Sequence, residues 1–290
     1  MKTREVVAAA AKKLRGAGVP EPENDAWLLF SESFGMSRTD YLLRAEEEFH
    51  PAPDRERLFI ERLARRQRRI PLQRILGVQN FCGLDLEVQD DVLIPRGDTE
   101  ILAGEVLAWS EQNPGGSFLD LCTGSGCIAV AVCRFGRFER IAASDLSEAA
   151  LRAARANAAR CGAEITFFQG DLFAPVAGTF DVIAANPPYI GREEIDSLEP
   201  EVSRFEPRLA LDGGEDGLDF YRRIARQAAD YLNPDGSLFL EIGETQAAAV
   251  SDLLAQNRFR EIQVIPDYAG LDRVVRAMRP DIKTNERNGG

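Results

Sequence analysis

Apolar positions change their spacing part-way along the chain. Val6, Val7, Ala10, Ala11 and Leu14 recur at the interval of an amphipathic helix, and Gly16 and Gly18 end the run. A second run, Asn24 to Phe34, carries Trp27, Leu28 and Phe30. A third starts at Asp54, whose carboxylate suits an N-cap, and continues to Arg69 with Leu58, Ile60 and Leu63 inside it. These runs predict a small helical domain over residues 1–71. Pro71 ends the last helix. Residues 72–100 alternate short apolar stretches with turn signals such as Asn80 and Gly83, which predicts a β-hairpin connector.

From residue 101 the pattern becomes strand–helix alternation. Strands are predicted near 118–121, 140–144, 164–168, 180–185, 237–242, 260–265 and 273–278, with helices over 126–135, 147–160, 217–232 and 246–256. Such alternation predicts an α/β domain over 101–280, with a mostly parallel seven-stranded sheet covered on both faces. Only Pro266 to Asp272 separates the last two strands, too little for a helical crossover, so one of them runs antiparallel. Residues 281–290 are polar and read as a flexible tail.

Composition narrows the class. With 44% apolar and 28% charged residues among 290, the chain has the balance of a soluble globular protein. It holds no membrane-length apolar run and no secretory leader pattern. Five cysteines form no Cys-x-x-Cys pair, which predicts reduced thiols and a cytoplasmic location. One histidine, His50, excludes a histidine-rich metal centre and argues against Ser-His-Asp chemistry. The net charge of −12 is uneven. Residues 1–74 hold 15 Lys and Arg against 12 Asp and Glu, whereas the remainder holds 20 against 35. So acidic a second part would repel a phosphate backbone, so no direct nucleic-acid contact is expected. The arginines between Arg55 and Arg69 fit either a solvated helix face or a docking surface for an acidic partner.

Three segments carry chemistry. Cys122, Thr123, Gly124, Ser125 and Gly126 link a predicted strand to a predicted helix. Glycines there let the backbone approach a ligand, and the helix start offers free N–H groups. The turn fits a dinucleotide site, an S-adenosyl-L-methionine (AdoMet) site or a purely structural bend. Asp145 ends the next strand and can hold two ribose hydroxyls, which suits either cofactor. Asp171, followed by Leu172, closes a third strand. It has no evident work toward NAD, but toward AdoMet it can accept from the adenine amino group.

Asn186-Pro187-Pro188-Tyr189 favours methyl transfer. It follows a buried strand and so lies at the carboxyl edge of the sheet, where ligands bind. The prolines fix the backbone. The Asn186 side-chain oxygen and the Pro187 carbonyl can accept both hydrogens of a planar NH2 group, and Tyr189 offers an aromatic face.

Residues from about 71 to 279 resemble the protein-(glutamine-N5) methyltransferases that modify bacterial peptide chain release factors. The likeness extends beyond Asn186 to Tyr189, which DNA amino-methyltransferases share. Leu93-Ile94-Pro95-Arg96-Gly97-Asp98-Thr99-Glu100 is similar to that family's Ile-Pro-Arg-Pro-Glu-Thr-Glu, with Gly97 and Asp98 replacing Pro and Glu. The run from Glu206 to Leu218, Leu240 to Gly243 and Asp272 to Val275 also match. Cys122 replaces the first glycine of the family's turn, so its φ is expected to be negative.

The resemblance implies a Rossmann-like AdoMet-dependent fold with a helical N-terminal domain that binds the protein substrate. The acceptor it implies is the glutamine of a Gly-Gly-Gln loop in a release factor, and the product is S-adenosyl-L-homocysteine. It assigns catalysis to Asn186, Pro187 and Tyr189. The cofactor falls to Cys122, Thr123, Gly124, Ser125, Gly126, Asp145, Asp171, Leu172 and Asn186. The substrate also meets Pro188, Arg96 and Thr99. No metal is expected, and the protein is expected to be a monomer. An adenine-N6 methyltransferase presents the same NH2 geometry but would need a basic recognition region. A nicotinamide-dependent oxidoreductase leaves Asn186 to Tyr189 unexplained.

Overall fold

The computed structural model describes residues 1–279, so the tail expected over 281–290 lies outside the described residues. The chain divides into two compact units. The first comprises residues 1–78 and 199–205, the second 79–198 and 206 onward.

The first unit is helical: α1 (Thr3–Gly16), α2 (Pro22–Phe34), α3 (Arg38–Arg44), α4 (Pro53–Gln67) and α5 (Leu72–Leu76). Its core gathers Leu14, Leu29, Phe30, Phe59 and Leu63, with Phe30 edge-on to Phe59 at 5.9 Å. Asp54 is not the cap of α4. Ala52 holds that position and Pro53 opens the helix. Proline is preorganised there and lacks only an N–H that would be unsatisfied anyway. Arg66 is 4% exposed, so this arginine belongs neither to a solvated face nor to a docking surface. It pairs with Asp25 at 2.7 Å and with Glu201 at 2.7 Å, and Glu201 also holds Arg69 at 2.6 Å. Glu201 sits on a single helical turn, Pro200–Ser203, contributed by the short returning segment. The helix α5 stands where the sequence predicted part of the hairpin connector. Five residues are too few for periodicity to separate helix from strand.

The second unit opens with a hairpin, β1 (Val78–Phe81) and β2 (Leu84–Glu87). Cys82 and Gly83 turn it with φ of 49° and 78°, the left-handed pair of a two-residue loop. Next comes α6 (Thr99–Gln112), which the apolar pattern did not predict because its polar and apolar residues are poorly segregated into faces. The remaining elements are β3 (Ser117–Leu121), α7 (Cys127–Phe135), β4 (Arg140–Asp145), α8 (Glu148–Cys161), β5 (Thr166–Gln169), β6 (Phe180–Ala185), α9 (Asp219–Tyr231), β7 (Leu232–Glu241), α10 (Ala247–Gln256), β8 (Arg260–Pro266) and β9 (Asp272–Met278). The sheet runs β5-β4-β3-β6-β7-β9-β8. It is parallel except that β9 opposes both β7 and β8, as the short final turn requires. Strand order reverses between β3 and β6, which places a crevice at their carboxyl ends. Among the described residues no helix is long and apolar enough to cross a membrane.

Candidate active site

The turn after β3 is left-handed at three positions, with φ of 56° at Cys122, 56° at Gly124 and 80° at Gly126. The negative φ expected for Cys122 is therefore wrong. Neighbouring hydrogen bonds set the bend: Thr123 N–H donates to the Ser144 carbonyl at 3.0 Å, and Gly126 N–H to the Thr123 carbonyl at 2.8 Å. At Gly126 a Cβ would lie 2.9 Å from the Ala154 Cβ, so glycine permits α7 and α8 to approach. The Thr123 hydroxyl donates to the Asp120 carboxylate at 2.5 Å, and Ala129 N–H reaches the same oxygen at 3.2 Å. Asp120 is fully buried in β3, and burial pushes its carboxyl up to about 7. Thr123 and Ser125 are buried too, and Asn157 donates to the Ser125 carbonyl at 3.0 Å. Sequence reasoning gave these two residues to the cofactor; neither lines the cleft at the carboxyl ends of the strands, and the Thr123 side chain and the Ser125 carbonyl are held from behind the turn.

Asp145, at the end of β4, accepts from Gly124 N–H at 2.9 Å and from Ser147 N–H at 2.8 Å. Burial raises its pKa against those hydrogen bonds. Asp171 pairs with Arg223 of α9 at 2.6 Å. Cys122, Gly124, Asp145, Asp171, Leu172, Asn186 and Pro188 all line one cleft of about 250 Å³. Phe220, Leu209 and Arg223 are among the other residues of its wall.

Asn186 leaves β6 at the mouth of this cleft, and its Nδ2 donates to Thr99 Oγ1 at 3.2 Å. Thr99, at the start of α6, is 2% exposed and absent from the cleft wall. It supports Asn186 where a substrate contact had been expected. Pro187 is buried, and Tyr189 packs against the core, where burial pushes its phenol up to about 12. The Gln246 side chain donates to the Tyr189 carbonyl at 2.9 Å and so holds this turn from the N-cap of α10. Arg96 pairs with Glu206 at 2.6 Å. Neither Pro187, Tyr189 nor Arg96 belongs to the cleft wall itself. The run from Glu206 lies beside them, with Ile190 bridged to Asp212 in parallel.

Among the participants unassigned from sequence are Glu241, Gln246, Phe220, Leu209 and Arg223. Only Glu241 left a usable signal, an acid directly after the apolar run Leu238-Phe239-Leu240 at the end of β7. It is 1% exposed, and burial pushes it up to about 7 although Thr99, Arg273 and Asn186 oppose the shift.

Residues 5–77 match the family described as PrmC N-terminal domain, and residues 99–199 match the methyltransferase small domain. A release factor glutamine methyltransferase of Geobacter sulfurreducens is 43% identical over 86% of this chain and 86% of its own. One from Moorella thermoacetica is 42% identical over 96% of this chain and 99% of its own. The crystal structure of a methyltransferase from Pyrococcus furiosus shares the fold, with a TM-score of 0.53 at 20% identity over 69% of this chain and 90% of that one. With a glycine turn, a strand-end acid and Asn186 gathered on one cleft, and with such identity along nearly the whole chain, this protein belongs to the release factor glutamine methyltransferase family.

Proposed function

We propose that the protein methylates the side-chain amide nitrogen of the glutamine in the Gly-Gly-Gln motif of peptide chain release factors, with AdoMet as methyl donor, in the cytoplasm. The observation that carries this reading is the cleft at the carboxyl ends of β3, β4 and β6, with Asp145, Gly124 and Asn186 on one wall.

The residues fit the donor. Past Gly124 the backbone is open, with the Cys122 carbonyl nearest a virtual Cβ at 4.0 Å. The Asp145 carboxylate is held by two backbone N–H groups and keeps lone pairs for a diol. The Asp171 carboxylate already serves Arg223, so we assign it a shared role at the adenine end. AdoMet, when bound, supplies an electrophilic methyl group on a sulfonium.

The chain's own groups do the rest. A carboxamide nitrogen is a weak nucleophile because its lone pair is delocalised. Asn186 Oδ1 and the Pro187 carbonyl accept its two hydrogens and fix its plane. Correct positioning can lower a barrier by ~7–11 kcal/mol at most. Both acceptors bind more strongly as the nitrogen gains positive charge, which favours the transition state selectively. The nitrogen then loses a proton to water. The exposed Arg55 and Arg57 of α4, with Arg68 just past its end, are assigned to docking the protein substrate.

Mass spectrometry of a release factor incubated with enzyme and AdoMet tests the reaction, and one methyl group on the glutamine-bearing peptide is expected. Asp145→Ala tests the donor site. Loss of a charge-assisted contact costs ~1.5–3 kcal/mol, so the dissociation constant for S-adenosylhomocysteine should rise about tenfold or more. Unchanged binding by calorimetry would remove Asp145 from the site.

A further inference from the structure

We propose that Glu241 is a positioning residue for this methyl transfer: through Thr99 it decides which end of the Asn186 amide faces the acceptor. The inference rests on the role given above to Asn186.

A carboxamide has a donor end and an acceptor end of nearly the same shape, and a half-turn exchanges them. Only the oxygen can accept an N–H from a substrate amide. Asn186 Nδ2 lies 3.2 Å from Thr99 Oγ1. A threonine hydroxyl both donates and accepts, so Thr99 alone would serve either orientation. The choice requires a group that claims the Thr99 proton. An ionised carboxylate accepts only, and Glu241 lies where the Thr99 and Asn186 side chains both act to lower its pKa against its burial. The sheet puts it there: Ala185 of β6 pairs with Leu240 of β7, so the next residues, Asn186 just past β6 and Glu241 at the end of β7, sit side by side. With Glu241 charged, the Asn186 NH2 turns inward and its oxygen turns to the cleft.

The setting is expensive to maintain. Glu241 is 1% exposed, and its Oε2 has no hydrogen-bond partner among the described residues. The nearest cation, Arg273 of β9, is drawn off by Asp267 at 3.1 Å and by the Ile242 carbonyl at 3.3 Å. The other titratable groups that face this region are Asp98 before α6, Tyr189, Tyr221 of α9 and Cys127 of α7. Tyr221 donates to the Glu241 backbone carbonyl at 2.7 Å and leaves the carboxylate untouched. A carboxylate needed only for packing would not be left half satisfied. A negative charge behind Asn186 also strengthens its oxygen as an acceptor while the substrate nitrogen becomes positive.

Glu241→Gln keeps the shape but lets the residue donate to Thr99, which frees Asn186 to flip. A misplaced contact can cost about a hundredfold in rate. The variant should lose between about tenfold and that amount in kcat, with S-adenosylhomocysteine affinity within about twofold of wild type. Wild-type kcat should rise with pH along a limb near neutrality as Glu241 ionises, and the Gln variant should lack that limb. Thr99→Val should behave like Glu241→Gln, and Thr99→Ser, which keeps the hydroxyl, should restore activity. This pair also decides the matter if Glu241→Gln fails to fold. In an Asn186→Ala background, Glu241→Gln should cost little more, since both act through one amide. Wild-type kcat in the Gln variant, or equal activity of the Val and Ser variants, overturns the inference. Should Asn186→Ala keep full activity on a release factor, the underlying reading fails instead. If Asn186→Ala is inactive while Glu241→Gln and Thr99→Val are fully active, only the role of Glu241 falls.

Discussion

In the helical unit, both oxygens of Glu201 are taken: Oε1 by Arg66 and Arg69, Oε2 by Arg69 again. In the sheet unit, Glu241 is more deeply buried and has one oxygen without a partner. Their acidities diverge accordingly. Burial would raise Glu201, but hydrogen bonds from Arg69 and Arg66 hold it below the usual carboxylate range. Burial wins at Glu241, which is pushed up to about 7. Asp120 repeats the second pattern, with an orphaned Oδ1 behind the glycine turn. The satisfied charges lie where a chain segment must be tied to helices. Glu241 and Asp120 lie directly behind residues that face the cleft. Burying a charge is costly in both regions, but in the second it leaves a raised carboxyl directly behind the cleft, where its state can bias neighbours that face a ligand.

The contrast breaks first if the Glu201 cluster proves dispensable. Arg66→Ala leaves Asp25, 6% exposed, without the guanidinium at 2.7 Å. Removing one partner of a buried pair costs ~3–5 kcal/mol. Denaturant unfolding followed through Trp27, which lies in α2 of the same unit, should show that loss. A change below about 1 kcal/mol would mean the cluster is only a surface pair in energetic terms.

Next in size is Asn186→Ala. Loss of one oriented acceptor in a dry site costs ~10²–10³ in turnover. S-adenosylhomocysteine affinity should fall less, because Asp145 and the glycine turn are untouched. Asn186→Asp keeps an acceptor at the same size and should retain more activity than the alanine variant. Equal turnover of wild type and Asn186→Ala on a release factor would sink the mechanism.

Stability against pH sharpens the comparison, because the two glutamates carry opposite signs. Glu201, with its pKa lowered in the fold, stabilises the protein above its ordinary pKa, and that contribution is lost as pH falls through the folded value. Glu241, raised to about 7, favours the fold while protonated, so its contribution is present below its ordinary pKa of 4.5 and is lost as pH rises through about 7. Glu241→Gln does not titrate. Relative to wild type it should gain stability on the order of 3 kcal/mol between about pH 4 and about pH 8. A difference that stays flat with pH would mean that Glu241 is not raised in the fold.

Legibility followed sequence distance. The seven strands were readable because each is a short apolar or alternating run between turn signals, and the antiparallel end followed from one short connection. Asp145, Gly124 and Asn186 were readable because each motif is local to one strand end. The helix α6 was missed because its periodicity is faint, although it carries Thr99 to Asn186. The Thr99–Asn186 and Gln246–Tyr189 pairs, and the union of Glu201 with Arg66 and Arg69, join positions far apart in the chain. No local pattern announces such pairs; only the closed sheet or the packed helices create them.

Cys122 supplies the smallest test and concerns the one turn residue whose backbone was misread. A side chain in the left-handed region meets its own carbonyl, at a cost of roughly 1–2 kcal/mol. Here φ is 56°, fixed by the strand beside it, and the Cys122 side chain packs partly against the sheet core. Cys122→Ala keeps the strain and loses the sulfur contact. Cys122→Gly relieves the strain but adds freedom to the unfolded chain, worth ~0.4–1 kcal/mol in the opposite direction. The glycine variant should therefore exceed the alanine variant in stability by up to about 1 kcal/mol in denaturant unfolding. Donor affinity should be nearly unchanged in both, because the backbone N–H groups of the turn remain. An alanine variant equal to or more stable than the glycine one would show that the bend at Cys122 stores no strain. The turn would then resemble the Glu201 cluster, a satisfied framework, more than the incomplete residues at its back.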